Sequence, residues 1–265
     1  MSVYLFLKKK LLNALPDRML YPVLKSHYLR KLRRFSEDDE IDIKVVRYLV
    51  RTGDSVIDVG ANIGVYTVYL SKLVGPNGNV YSIEPIPPTF DILSNNVKKL
   101  GQRNVWLLNY AISDQCGSTK MEIPKYLSGG ENYYQARIRE NGNVPSMLRR
   151  FDVVTTSLDT LLFGSGRLIT FMKIDVEGHE SQVIKGSLGI IRKYKPALLI
   201  EISGDPDDDQ SKAFKLFGIL RGEGYSPYWF DGRRLNYRIK GNKSVNYFLL
   251  THDHISKRLN SFIVC

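Results

Sequence analysis

Residues 55–67 read Ser-Val-Ile-Asp-Val-Gly-Ala-Asn-Ile-Gly-Val-Tyr-Thr, and this stretch decides the fold. Ser55 to Val59 is β-branched and apolar except for Asp58, the composition of a short buried strand. Gly60 to Gly64 makes a tight turn, after which Val65, Val68, Tyr69 and Leu73 recur at helical spacing. Strand, glycine turn and helix open a nucleotide-binding α/β unit. Glycines admit a close backbone approach, and a helix N-terminus offers N–H groups that lack intrahelical partners. The next apolar run, Asn79 to Ile83, predicts a second strand with Glu84 at its end, where an acid can grip a ribose diol.

The turn narrows the choice of ligand. A dinucleotide fingerprint needs G-x-G-x-x-G; here Asn62 replaces the second glycine and Val65 stands at the last position, so a pyrophosphate would lack its close approach. Asp58-Val-Gly-Ala-Asn-Ile-Gly64, followed by Glu84-Pro85, resembles motifs I and II of class I S-adenosylmethionine-dependent methyltransferases. The resemblance implies a cofactor without phosphates, bound by Asp58, Gly60, Asn62, Gly64 and Glu84. A core-facing Asp58 in an ordinary α/β turn is the plainer alternative.

Downstream, the prolines at 87 and 88 suit the first turn of a helix whose buried stripe is Phe90, Leu93, Val97 and Leu100. Residues 104–109 predict a third strand. Ala111 and Ser113 follow it, beside the position where an adenine lies in this fold; local turn capping is the other use for Ser113 and Asp114. Residues 117–150 break the alternation. After an expected strand from Ser118 to Ile123 comes a tyrosine- and arginine-rich stretch with Tyr126, Tyr133, Tyr134, Arg137, Arg139, Arg149 and Arg150. Its length and its capacity for stacking and hydrogen bonding suggest an acceptor-binding excursion, with a mobile surface loop as the alternative. Residues 169–175 and 196–201 are the fourth and fifth core strands. Residues 225–231 and 245–251 are a closing strand pair joined by a basic turn region.

Upstream, residues 1–40 form a basic segment, expected to be helical, ahead of a domain spanning 41–265. Nine basic residues in 1–35 face a single acid, Asp17, and alternate with leucines. The segment reads as an amphipathic element for an anionic membrane surface, or as a helix packed on the domain with a solvated basic face. Ser36 to Asp39 reads as a helix cap.

Ligands in open α/β sheets bind at the carboxyl ends of strands, and Asp58, Glu84, Asp175 and Glu201 all sit there. Four such carboxylates carry a desolvation cost unless ligands, metals or donors compensate. Lys173 and Asp175 share one strand face. The block Lys173-Ile-Asp-Val-Glu-Gly-His-Glu180 resembles the signature of the FkbM family of S-adenosylmethionine-dependent O-methyltransferases. So do, in the same order, residues 58–67, 83–85, 109–114, 157–162 and 196–201. The resemblance covers about residues 50–250. It implies a Rossmann-like α/β fold with a mostly parallel seven-stranded sheet, helices on both faces and a terminal antiparallel strand pair. It further implies methyl transfer from S-adenosylmethionine to a hydroxyl, often on a sugar, glycan or glycosylated natural product.

Such a reaction asks for alignment of the acceptor and removal of its proton. His179 is the base favoured by intrinsic pKa, and beside carboxylates its pKa is expected near or above neutral. Asp175, Glu177 and Glu201 are alternative bases, or ligands for a divalent cation that acidifies the hydroxyl. Asp175 is also expected to touch the cofactor.

The chain has 265 residues, 43% of them hydrophobic, with a net charge of +11. That charge favours acidic partners without choosing among them. The amino-methylating nucleic-acid enzymes carry an N/D-P-P-Y/F block after the fourth strand, where this chain reads Asp175-Val-Glu-Gly, so a nucleic-acid substrate is disfavoured. A non-catalytic, membrane-associated binding protein is disfavoured by the intact acids. Two cysteines, Cys116 and Cys265, build no disulfide framework, and no apolar run reaches transmembrane length. The location expected from these features is cytoplasmic, with peripheral membrane contact left open.

Overall fold

The computed structural model describes residues 17–123, 137–138 and 149–259. The first strand, β1 (Ser55–Val59), is buried along its whole length, as its composition predicts. It lies between β2 (Asn79–Ile83) and β8 (Ile169–Ile174), parallel to both. Its two faces serve two apolar clusters. Ile57 and Val59 pack with Ile83, Met172, Ile174 and Ile200 on one side. Val56 packs with Val80, Phe171, Leu199 and Phe248 on the other. A parallel strand covered on both faces reads as such a continuous apolar run.

Parallel pairing extends outward to β3 (Val105–Leu108) on one side and β9 (Ala197–Glu201) on the other. Beyond β9, β12 (Asn246–Leu250) pairs antiparallel with β9, β10 (Ser226–Phe230) pairs antiparallel with β12, and β11 (Leu235–Tyr237) closes the edge. The sheet therefore has eight strands, with order β11-β10-β12-β9-β8-β1-β2-β3, one more than the expected seven. The extra strand comes from the segment read as a basic turn. Asp231 Oδ1 accepts from Arg233 N–H (2.7 Å) and Arg234 N–H (2.6 Å), an Asx-type turn that sends the chain back along β10.

Residues 117–123 do form a strand, β5 (Gly117–Ile123), but in a second sheet. It pairs antiparallel with β7 (Arg149–Thr156) and with the two-residue β6 (Arg137–Ile138). The short β4 (Ala111–Ile112) pairs parallel with β7. Tyr126, Tyr133, Tyr134 and Arg139 of the proposed acceptor excursion lie outside the described residues.

Eight helices bear on the site. α1 (Asp17–Arg34) packs on α4 (Pro87–Lys99), with Lys25 Nζ 2.6 Å from Asp91 Oδ2. Ser36 and Asp39 close a turn through Ser36 N–H to Asp39 Oδ2 (2.8 Å); the following helix, α2 (Ile43–Leu49), begins only after Asp42. α3 (Val65–Val74) follows the glycine turn. On the other side of the chain come α5 (Leu158–Leu162), α6 (Glu180–Lys185), α7 (Leu188–Tyr194) and α8 (Lys212–Gly222). Among the described residues, no helix is long and apolar enough to cross a membrane.

Candidate functional site

The glycine turn after β1 meets the turn after β8. A Cβ on Gly60 (φ 78°) would stand 1.8 Å from the backbone carbonyl oxygen of Asp175, so this position needs glycine for the approach of two chain segments. Gly64 (φ 97°) precedes α3 in the left-handed region and packs against Leu93. Three non-glycine residues among those described have positive φ, and two of them, Asn62 and Glu177 (both 51°), line one cleft. Left-handed backbone outside glycine is strained and concentrates at working sites.

That cleft lies open to solvent at the carboxyl edge of the sheet, with about 590 Å³ of space including its mouth. Val59, Gly60 and Asn62 form its floor. Ile83, Glu84 and Pro85 from the end of β2, with Tyr110, Ala111 and Ile112, form one flank. Asp175, Val176, Glu177 and His179 form the other. Met121, from the second sheet, contributes a wall that no sequence period announces, because it depends on the long-range pairing of β5 with β7.

On the β2 flank, Glu84 is buried at 6% exposure. Asn62 N–H donates to its Oε2 (3.0 Å) and Ile86 N–H to its Oε1 (2.9 Å). Burial outweighs these two donors and pushes the Glu84 pKa up to about 7. Each carboxylate oxygen keeps a second lone pair.

Asp58 behaves differently from the expectation that it holds the cofactor. It is fully buried and does not line the cleft. In register it lies between Ser82 and Lys173, under the first turn of α3, and Thr67 Oγ1 donates to its Oδ2 (2.6 Å). Burial raises its pKa. The plainer, core-facing reading of Asp58 describes its position.

On the other flank, Asp175, Glu177 and Glu201 bring carboxylate oxygens within 4.8 Å of one another. Lys173, only 8% exposed, donates from Nζ to Asp175 Oδ2 (2.8 Å) and lies 4.8 Å from the ring centre of Tyr66. Burial opposes its charge, but Asp175, Asp58 and Glu201 together hold its pKa above the ordinary value. Glu201 is pushed up to about 7, first by burial and then by repulsion from Asp175 and Glu177. Its side chain stands beside the cleft lining, at the end of β9.

His179 sits just before α6 and lines the cleft, with Nε2 3.1 Å from Ser113 Oγ. Ser113 Oγ in turn donates to Asp114 Oδ1 (3.2 Å). Ser113 is buried and is not part of the cleft lining, so its hydroxyl serves His179 and Asp114; Ala111 does line the cleft. Burial lowers the His179 pKa, and Lys212 adds to this against the opposing charge of Asp114. That overturns the expectation of a pKa near or above neutral. The carboxylates of this flank gather around Lys173, so desolvation dominates at the imidazole.

Residues 58–227 match the Methyltransferase FkbM domain family, and the chain belongs to that family. It is 29% identical over 170 residues to the hexuronic acid methyltransferase AglP of Haloferax volcanii, covering 62% of this chain and 64% of that protein. It is 39% identical over 69 residues to a protein-L-isoaspartate O-methyltransferase of Ignicoccus hospitalis, covering 24% of this chain and 33% of that one. The matches thus span less than two thirds of these curated relatives. A structure of an FkbM methyltransferase from Methylobacillus flagellatus overlays with a TM-score of 0.46 at 14% identity, covering 86% of this chain and 59% of that one.

Proposed function

We propose that this chain is an S-adenosylmethionine-dependent O-methyltransferase acting on a hydroxyl of a sugar, glycan or glycosylated natural product. The observation that carries the reading is Glu84. A buried carboxylate with one lone pair spare on each oxygen, beside the strained Asn62 turn, suits the two hydroxyls of a ribose. The apolar surfaces of Ile83, Pro85, Tyr110 and Ala111 beside it suit an adenine face. Gly60 and Asn62 would hold the rest of the cofactor along the floor, with Asp175 at its far end. When bound, S-adenosylmethionine supplies an electrophilic methyl group.

His179 is neutral at physiological pH because its pKa is lowered. With the Ser113 hydroxyl donating to Asp114, the Nε2 position of His179 carries the proton that Ser113 accepts. Nδ1 is then the basic nitrogen, suited to take the proton of an acceptor hydroxyl. Lys173 holds Asp175 in place at the strand end and balances the carboxylates around it. A sugar acceptor is supported by the similarity to a hexuronic acid methyltransferase.

A second reading, favoured by the convergence of Asp175, Glu177 and Glu201, adds a divalent cation that acidifies the acceptor hydroxyl. The two separate in one experiment. Methyl-labelled S-adenosylmethionine is incubated with a panel of glycosides, with and without chelator. Label in a glycoside that survives chelation supports His179 as the base; loss restored by a divalent cation supports the metal. Binding of S-adenosylmethionine with no transfer to any glycoside would send the search to other hydroxyl acceptors, and no binding would overturn the proposal.

A further inference from the structure

The helix α1 has two unlike faces. Tyr21, Leu24 and Tyr28 are half-buried and Leu32 is buried, and these positions look toward the domain. Leu24 packs on the small cluster of Ile86, Ala111, Met121 and Val153, two members of which also wall the cleft. At 100° per residue, Met19, Val23, Arg30 and Arg34 fall within one narrow stripe on the opposite side, with Arg33 at its border. Met19 is 53% exposed and Val23 45%, while Arg30, Arg33 and Arg34 are exposed. None of the three arginines forms an ion pair with a described residue.

Counter-charge is held away from this stripe. Asp17 is the one acid of α1. The acids that follow the helix are turned to other partners: Glu37 to Arg47 and Tyr69, Asp38 to Lys44, and Asp39 to Ser36. Residues 1–16, outside the described residues, add Leu5, Phe6, Leu7, Leu11, Leu12 and three lysines to the same chemistry.

We propose that the outward stripe of α1 docks this protein on an anionic lipid bilayer, with the arginines against headgroups and Met19 and Val23 at the acyl boundary. A polyanion such as RNA would reward the arginines but not the exposed apolar pair. A bilayer rewards both, through surface potential and through burial of apolar area. The docked helix flanks the cleft, so the cleft would face the membrane–water boundary.

Sedimentation of the full chain with phosphatidylcholine vesicles, with and without phosphatidylglycerol, tests this. Three variants are compared with wild type. Arg30→Glu/Arg33→Glu/Arg34→Glu reverses the stripe. Arg233→Glu/Arg234→Glu/Lys240→Glu makes the same change of charge on the turns at the two ends of β11. Met19→Gln/Val23→Gln keeps the charge. Binding is expected only with phosphatidylglycerol. The stripe reversal is expected to weaken it on the order of a hundredfold, at roughly fivefold per residue. The turn variant should bind like wild type and the apolar variant more weakly. Unchanged unfolding curves exclude misfolding, with Arg→Gln replacements at the three stripe positions as the milder substitute. Equal losses in both charge variants would reduce the effect to net charge and overturn the proposal. So would absence of wild-type binding at low salt. Single-stranded RNA binding that depends on the stripe, without vesicle binding, would assign the surface to nucleic acid instead.

Discussion

The two flanks of the cleft each carry a glutamate held near pKa 7, and they reach that value by different routes. Glu84, at the end of β2, is raised chiefly by burial, against the pull of two backbone N–H donors, with smaller like-charge contributions from Asp58 and Asp175. Glu201, at the end of β9, is raised by burial together with the like charges of Asp175 and Glu177. A carboxylate governed by solvation answers to what fills the space around it. One that is buried beside like charges answers to those charges as well. The first arrangement suits recognition of a neutral diol, and the second suits groups whose charges are adjusted one against another.

If the β8 flank performs the chemistry and the β2 flank the binding, substitutions should divide cleanly. The largest effect is expected for His179→Ala, which should lower kcat by about 10²–10⁴-fold, the usual worth of a positioned base. Its affinity for S-adenosylmethionine by calorimetry should be nearly unchanged; an equal loss of affinity would merge the two flanks into one binding surface. With the proton taken by a neutral imidazole, the acid limb of wild-type kcat should fall below the ordinary histidine range, and His179→Ala should remove it.

Glu84→Gln should stabilise the ligand-free protein at pH 8. The folded-state pKa of Glu84, about 7, lies above its ordinary value of 4.5. Its favourable contribution is therefore fully present below pH 4.5 and lost as pH rises through 7. The difference between wild type and variant across that window should approach about 3 kcal/mol, read from denaturant unfolding at several pH values. A constant difference would mean that the buried acid is compensated in a way its two donors do not explain.

Glu84→Ala should weaken S-adenosylmethionine binding by about tenfold to a hundredfold, the worth of charge-assisted hydrogen bonds to a diol. Turnover at saturating cofactor should remain within a few fold. The smallest effect is expected for Glu177→Gln: removing one like charge should move the Glu201 titration toward acid by a fraction of a pH unit in carbon-13 spectra. The Glu84 titration should stay where it is, because Glu177 is not among the charges that raise it; a joint shift would show that Glu177 acts on both flanks.

Much of this site is legible along the chain. Asp175, Glu177 and His179 lie within five residues and share one turn, so their common location in the cleft follows from short-range geometry. Glu84 is legible for the same reason, as the residue after a strand of apolar side chains. Asp58 is not. Its place between Ser82 and Lys173 depends on the register of three strands, and its partner Thr67 on how α3 settles over them. His179 is half-legible: its position follows from the turn, but its lowered pKa depends on the burial around it. Met121 reaches the cleft only because β5 pairs with β7, where its own partner, Phe151, lies 30 positions away.

The sequence by itself determined the order of the core strands β1, β2, β3, β8 and β9, the glycine turn and helix after β1, and the acids at the strand ends. These follow from periodicity and from backbone conformations such as the positive φ at Gly60, Asn62 and Gly64, demands that act over a few residues. Tertiary structure alone decided that Asp58 faces the interior, that His179 meets Ser113, that the segment after 117 founds a second sheet and that an eighth strand closes the first. Each of those depends on which distant segments pair and on how much water they exclude, and burial is a property of the assembled layers that no local stretch carries.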